Sequence, residues 1–294
     1  MQALEKFKAA LTATELGVLS LCLQRALQPL PENSIAWFLG NEIEATGSLA
    51  PAHAQILQSL SPDWLTVPAG LSWDTPERTP SSRTLSLELL TVRLRDAGHI
   101  IGWRNEKFSF WSENSNSNSN SSFKGETIQP DPSKPEAFRM ERAAFRFFGL
   151  HSHAVHINGF TPNGNMWCGR RALSKSVDPG MLDNLAAGGL PAGESLFDCG
   201  VREMAEEAGL PAALAQSALP CGSVETCRSV QEGWHHETLW VYNIVLPDDC
   251  VPANQDGEVS EFVLLSPSQV VNAIQQNAFT VDASCVIAHA VLHA

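Results

Sequence analysis

The chain has 294 residues, 44% of them hydrophobic and 17% charged, a composition that suits a folded protein of one or two domains and excludes a disordered one. Its net charge of -13 argues against a surface that tracks nucleic acid, because such binding is dominated by lysine and arginine contacts to phosphate. The cysteines, Cys22, Cys168, Cys199, Cys221, Cys227, Cys250 and Cys285, are odd in number and include no Cys-x-x-Cys pair, so they predict free thiols in a reducing compartment rather than a disulfide framework or a zinc ribbon.

The opening MQALEKFKAALTATELGVL carries acids and no long apolar core, and no apolar run approaches membrane-spanning length, which predicts a cytoplasmic protein without a membrane partner. Residues 11–27 read as an amphipathic helix, 34–45 as a hairpin around Gly40-Asn41, and 85–97 as a helix ending at Gly98. Trp37, Trp64, Trp73 and Trp103 read as core or interface anchors. The run NSNSNSNSS at 114–122, followed by Pro130, Pro132 and Pro135, cannot bury enough apolar surface to offset its ordering entropy. It predicts a linker over 112–136 between an accessory domain at 1–111 and a second domain at 137–294. In that second part EAFRMERAAFRFFG reads as a helix closed by Gly149. Strands are expected at 154–158, 166–170, 239–246 and 259–265, and helices from Ser266 and Asp282. Strands and helices mix without regular alternation, which predicts a mixed sheet sandwiched between helices.

Residues 188–210 read GGLPAGESLFDCGVREMAEEAGL. Ser195 with Asp198 three positions on marks a helix start, and Gly209 followed by apolar Leu210 marks its stop. Residues three and four apart are neighbours on a helix, so Glu203, Glu206 and Glu207 gather on one face, with Phe197, Val201, Met204 and Ala208 as the core-facing stripe. Three like charges so placed repel, and a cation between them explains the arrangement. Carboxylates without nearby cysteine or histidine ligands select a hard ion, magnesium or manganese, shared with substrate phosphates. Arg202 stands four residues before Glu206, placed to orient that carboxylate by a charged hydrogen bond. A merely solvated helix would also carry charge, but the fixed order of glycine, glutamate, arginine-glutamate and paired glutamates is far more specific than a charge run.

That order resembles, at every defined position, the box of the Nudix hydrolases: Gly188, Glu194, Arg202-Glu203-Met204, Glu206-Glu207 and Gly209-Leu210. The resemblance implies an α/β chain with a Nudix-type α/β/α sandwich around a mixed sheet over 137–294, preceded by a smaller α+β N-terminal domain. It further implies hydrolysis of a small-molecule organic diphosphate with Mg2+ or Mn2+ as cofactor. Glu203, Glu206 and Glu207 map to the metal ligands, the carbonyl of Gly188 to a further ligand and Glu194 to a supporting acid. The catalytic set is then Glu203, Glu206, Glu207, Arg202 and a distal carboxylate, for which Glu258 is the candidate and Asp256 and Glu261 are rivals. Arg170, Arg171 and Lys175, upstream of the box in an otherwise acidic protein, are the candidates for gripping the diphosphate.

The strings CGRRALSKSVDPGMLDNLAAGG, VQEGWHHETLWVYNIVLPDDCVPANQDGEVSEF, HIIGWRNEKFSFW and FRMERAAFRFFGLHSHAVHINGF resemble a narrower branch, with an N-terminal extension, related to the domain fused to thiamine pyrophosphokinase. That resemblance implies thiamine diphosphate, or its oxidised or damaged analogues, cut to the monophosphate and phosphate. Three features depart from the branch: Met181 stands where a lysine is frequent, the 114–122 run looks like a private insertion, and His235-His236 replace basic residues. The alternatives are a hydrolase of ADP-ribose, a dinucleotide or a damaged nucleotide, and a non-catalytic ligand sensor, which would be free to lose the carboxylates kept here. Isopentenyl diphosphate isomerase shares the fold, but its catalytic cysteine lies where this chain reads DNLAAGG.

Overall fold

In a computed structural model, the described residues are 2–74, 79–111, 136–175 and 177–294, so the expected linker at 112–136 lies outside them except for Glu136. Helix α1 (Gln2–Ala9) is followed by α2 (Ala13–Gln24), which starts inside the expected 11–27 span. A reciprocal cap fixes that start: Glu15 N–H donates to the Thr12 hydroxyl, and Thr12 N–H donates to the Glu15 carboxylate.

Strands β1 (Ile35–Leu39), β2 (Gly47–Leu49), β3 (Trp64–Val67) and β4 (Gly70–Trp73) form a sheet in the order β2-β1-β4-β3, with α3 (Pro51–Leu60) between β2 and β3. The hairpin expected at 34–45 is corrected in its second half: β1 lies within that span, but its antiparallel partner β2 begins only at Gly47, after a loop through Thr46, whose hydroxyl accepts from Leu39 N–H. Trp37, Trp64 and Trp73 are buried together, and Trp37 Nε1 donates to the Phe148 carbonyl at 2.8 Å. Helix α4 (Pro80–Asp96) is capped by Thr79 and begins five residues before the expected start.

The helix expected over EAFRMERAAFRFFG is corrected by the structure. Its first part is β6 (Glu136–Glu141), paired antiparallel with β5 (Lys107–Trp111); a 3-10 turn at Arg142–Ala144 then leads into a single turn, α5 (Phe145–Phe148), closed by left-handed Gly149. The cause is a partner remote in sequence: Phe138 stacks on Phe110 across the strand pair at 5.0 Å, while α4 covers the pair. Phe138, Met140, Phe145, Phe147 and Phe148 belong to the same core as Trp37 and Trp64. Packing therefore crosses the division expected at 112–136: residues after it complete the first core.

The second sheet is built from β7 (His151–Phe160), β8 (Met166–Arg171), β9 (Leu182–Asp183), β10 (Ala186–Gly189), β11 (Leu219–Val230), β12 (Gly233–Val245) and β13 (Val259–Leu265). Its main path runs β11-β12-β7-β8-β13; β7 and β12 are parallel, the other pairings antiparallel. One face, including Val155, Ile157, Tyr242 and Ile244, packs with α6 (Leu196–Ala208) and α7 (Ala212–Ala215). The other, including Ala154, Leu239 and Val241, packs with α8 (Pro267–Gln275), α9 (Val281–Leu292), α1 and α2. Alternating residues of one strand thus serve two helical layers, which makes the α/β/α sandwich.

The sandwich also draws on the start of the chain, since Phe7 is fully buried in its core and meets Phe160 edge to face at 5.7 Å. Among the described residues, no helix is long and apolar enough to cross a membrane. Replacing Phe7 with alanine is expected to destabilise the second core by about 3–5 kcal/mol, as for other buried Phe→Ala changes. Urea unfolding followed by the amide circular dichroism checks this, and a loss below about 0.5 kcal/mol, the range of ordinary surface changes, would show that α1 is not part of that core.

Candidate active site

Strand β7 pairs with β8 only at Gly159 and Phe160, whereas residues 154–157 pair with β10. Around this change of partner lies a cavity of about 250 Å3, reached by β7, β10, α6, β12 and the loop after β8. The box occupies one wall. Ser195 caps α6 by accepting from Asp198 N–H at 3.1 Å, and Gly209 ends it in the left-handed region. The buried stripe differs from the expected one: Leu196, Cys199, Gly200, Met204, Glu207 and Ala208 are buried, while Phe197 and Val201 are half-buried. The helix is turned because Gly200 lies close against Val155, and that turn takes Glu207 inward.

Glu203 lines the cavity with its side chain only 13% exposed. Glu207 lies behind it, buried, and accepts from Ala187 N–H of β10 at 2.9 Å. Gly188 faces the cavity between them, and a Cβ there would overlap the Glu203 carboxylate. Glycine at this position is therefore what lets the carboxylate approach the strand backbone. Glu206 stays on the outer side, 49% exposed, so the structure brings Glu203 and Glu207 together and leaves Glu206 at the edge.

Arg202 does more than orient Glu206. Its guanidinium donates twice to Glu194, at 3.0 and 2.8 Å, and also to Glu203 at 2.7 Å and Glu206 at 3.0 Å. Glu194 thus supports the site through Arg202. Even so, burial pushes the Glu203 carboxyl up to about 7, against the pull of Arg202. Burial also raises Glu207 well above the usual carboxylate range, with the Glu203 charge adding to it and the Ala187 N–H opposing it. A buried set of hard oxygen donors whose charged forms are short of compensation fits a hard divalent cation, with Glu203, Glu207, Glu206 and the Gly188 carbonyl as the residues to hold it.

Of the three acids proposed for the distal role, Glu258 alone lines the cavity, ion-paired with Lys175. Burial raises its pKa, but the Lys175 hydrogen bond and charge outweigh that and hold it below the usual range. Asp256 is an exposed loop residue that accepts from Glu258 N–H at 2.8 Å, and Glu261 is exposed and paired with Arg170.

Arg171 and Lys175 line the cavity; Arg171 donates to Asp183 at 2.9 Å and to the Val177 carbonyl. Arg170 is a correction: successive side chains of β8 point to opposite faces, so it turns away from the cavity to Glu261 and the Gly180 carbonyl. Sequence reasoning missed Arg104 and Arg142, which reach the cavity from beyond the second sheet, and missed Glu237 and Asp282, while it marked His235 without giving it a role. The only signal was the unusual His235-His236 pair. His235 is buried in the wall, whereas His236 stacks on His151 at 4.2 Å and pairs with Glu225.

The model of the NUDIX domain family matches residues 150–285. The chain carries a NUDIX domain. It is 37% identical over 203 residues to "Nudix hydrolase 20, chloroplastic" of Arabidopsis thaliana, covering 68% of this chain and 50% of that protein. It is 35% identical to "Nudix hydrolase 24, chloroplastic" of the same plant, covering 71% and 53%. The chain thus spans about half the length of these curated relatives. The crystal structure of DR0079 from Deinococcus radiodurans is 24% identical, with a TM-score of 0.39, covering 46% of this chain and 80% of that one.

The raised Glu203 pKa gives a pH prediction for the metal-free NUDIX domain. A carboxyl bound more tightly to its proton when folded contributes stability that is complete below its unfolded value of 4.5 and is lost as pH rises through about 7. The loss relative to Glu203→Gln should be roughly 3 kcal/mol, discounted for relaxation. Denaturation midpoints of both proteins between pH 4 and 8 in EDTA check this, and parallel curves would show that Glu203 carries no such penalty.

Proposed function

We propose that this protein hydrolyses an organic diphosphate in a magnesium- or manganese-dependent reaction, and that the substrate is thiamine diphosphate or one of its oxidised or damaged analogues. The observation that carries the hydrolase reading is the gathering, in one cavity, of the Glu203–Gly188 wall, the cations Arg171 and Lys175, and the carboxylate of Glu258. Glu203, Glu206 and Glu207, with the Gly188 carbonyl, would hold the cation, which when bound supplies Lewis-acid polarisation of phosphoryl oxygens.

The chain's own residues do the rest. Arg171 and Lys175 bind phosphoryl oxygens and offset the charge that develops on them. Glu258, kept ionised by Lys175, accepts a proton from the attacking water. The water oxygen bonds to phosphorus as the phosphoanhydride P–O bond breaks, and the products are phosphate and the monophosphate. Arg202 acts from behind, fixing the Glu203 carboxylate, and Glu207, besides its place among the residues that would hold the cation, fixes β10 through Ala187 N–H.

The thiamine assignment is supported by the stretches 168–189 and 230–262, whose wording resembles the thiamine-linked branch, and by substrate chemistry. A thiazolium diphosphate is positive at one end and negative at the other, and this cavity sets a cluster of cations beside acidic walls.

Glu207→Gln keeps the side-chain size but removes its charge, so kcat should fall by about two orders of magnitude or more. Full phosphate release by that variant in EDTA would contradict the metal-dependent reading. Steady-state comparison should give a higher kcat/KM for thiamine diphosphate or its oxidised analogues than for ADP-ribose; a preference for ADP-ribose would keep the diphosphate chemistry and overturn the thiamine assignment. Lys175→Ala should raise KM for the preferred substrate by about tenfold, the cost of one charge-assisted contact, while Arg170→Ala should leave it nearly unchanged. Equal effects would show that the ion pair with Glu261 does not hold Arg170 out of the site.

A further inference from the structure

Across the cavity wall from the box, β11, β12, β7 and the start of α9 bring together side chains that the proposed hydrolysis does not use. Strand register sets Arg228 opposite His235, Thr226 opposite Glu237, and Glu237 opposite Ser152. Asp282, in the first turn of α9, meets them from the helical layer. His235 is 4% exposed, and its Nε2 is buried without a hydrogen-bond partner. That atom stands 3.5 Å from Glu237 Oε2 and 3.5 Å from Asp282 Oδ2, beyond the 2.7–3.2 Å of an ordinary N–H···O bond. Both carboxylates draw on that nitrogen electrostatically, yet neither approaches to ordinary bonding distance, and the three leave room between them.

The spacing suits an ion. The imidazole nitrogen and the two carboxylate oxygens all lie within 4.8 Å of one another. With two edges of 3.5 Å, the centre of that triangle is about 2 to 2.4 Å from each atom, which takes in the roughly 2.0–2.2 Å of zinc bonds to nitrogen and oxygen. Outer partners hold both acids in place, as in built metal sites. Arg228 donates to the two oxygens of Asp282 at 2.6 and 2.8 Å, Thr226 donates to Oδ1, and the Ser152 hydroxyl donates to Glu237 Oε1 at 2.8 Å. The atoms that face His235 are the other oxygen of Glu237 and the Oδ2 edge of Asp282. Two carboxylates against one guanidinium leave a net negative charge for a dication to neutralise.

We propose that His235, Glu237 and Asp282 form a second cation site in this cavity, one that takes a divalent transition ion in preference to magnesium. An imidazole ligand is what separates it from the all-oxygen box, because imidazole suits zinc, iron, nickel or copper, with cobalt beside them in the same affinity order, whereas magnesium and manganese keep to oxygen. The site stands whether or not the substrate is a thiamine diphosphate.

The test is titration of the full chain with cobalt(II) in saturating magnesium, read by the visible absorption of the bound ion and by equilibrium dialysis. The wild type should take up one cobalt without a thiolate charge-transfer band. His235→Ala and the isosteric Glu237→Gln should each weaken that uptake at least about tenfold, while Glu203→Gln leaves it in place. Should His235→Ala fail to fold, as shown by its circular dichroism, Glu237→Gln decides the matter. No uptake by the wild type, uptake unchanged in a folded His235 or Glu237 variant, uptake lost in Glu203→Gln, or a thiolate band would each overturn the proposal.

Discussion

The structure depends on how two buried carboxylates, Glu203 and Glu207, are held against the backbone of β10. Removing charged carboxylates from water costs several kcal/mol each unless partners replace the lost hydration. Here the replacement is partial. Ala187 N–H serves Glu207, Arg202 serves Glu203 while also gripping Glu194 and Glu206, and both acids remain displaced toward their protonated forms. The surroundings follow from this constraint. Gly188 must lack a side chain for Glu203 to fit, Gly200 lets α6 approach Val155, and Gly209 stops the helix where Leu210 returns to the core. An acidic wall left this underpaired is what the proposed cation would neutralise.

The rest of the chain furnishes the opposite charges. Arg171 and Lys175 come from the end of β8 and the loop beyond it, and Arg104 and Arg142 from segments that flank the β5–β6 pair. The N-terminal half is thus joined to the NUDIX domain through α1 and α2 on the far helical layer, through the bridge between Leu27 and Cys227, and through this cationic rim. None of these links would be visible to a reading that treats the first half as an independent accessory domain.

What was legible in the sequence was local. The cap at Ser195, the stop at Gly209, the strand at 259–265 and the helices from Ser266 and Asp282 each announce themselves through neighbouring residues, and the structure has them in place, the last beginning one residue earlier at Val281. What was not legible needed distant partners. The strand at 136–141 reads as a helix until β5 pairs with it; the α6 stripe shifts because Val155 sits where it does; and the strand expected at 166–170 does not say which of its faces meets the cavity, so Arg170 and Arg171 separate only once β8 is placed between β7 and β13. The cluster at His235 joins positions 228, 235, 237 and 282 through strand register and a helix terminus, which no spacing rule encodes.

The central claim, that Glu203 and Glu207 exist in this geometry to hold a divalent cation, is tested most directly by an anomalous-difference map from a crystal soaked in manganese. The account predicts a peak within coordination distance, about 2.0–2.4 Å, of the Glu203 carboxylate, with Glu207 and the Gly188 carbonyl turned toward it. Ordered Glu203 and Glu207 side chains with no peak between them, in a crystal that has taken up manganese elsewhere, would contradict it.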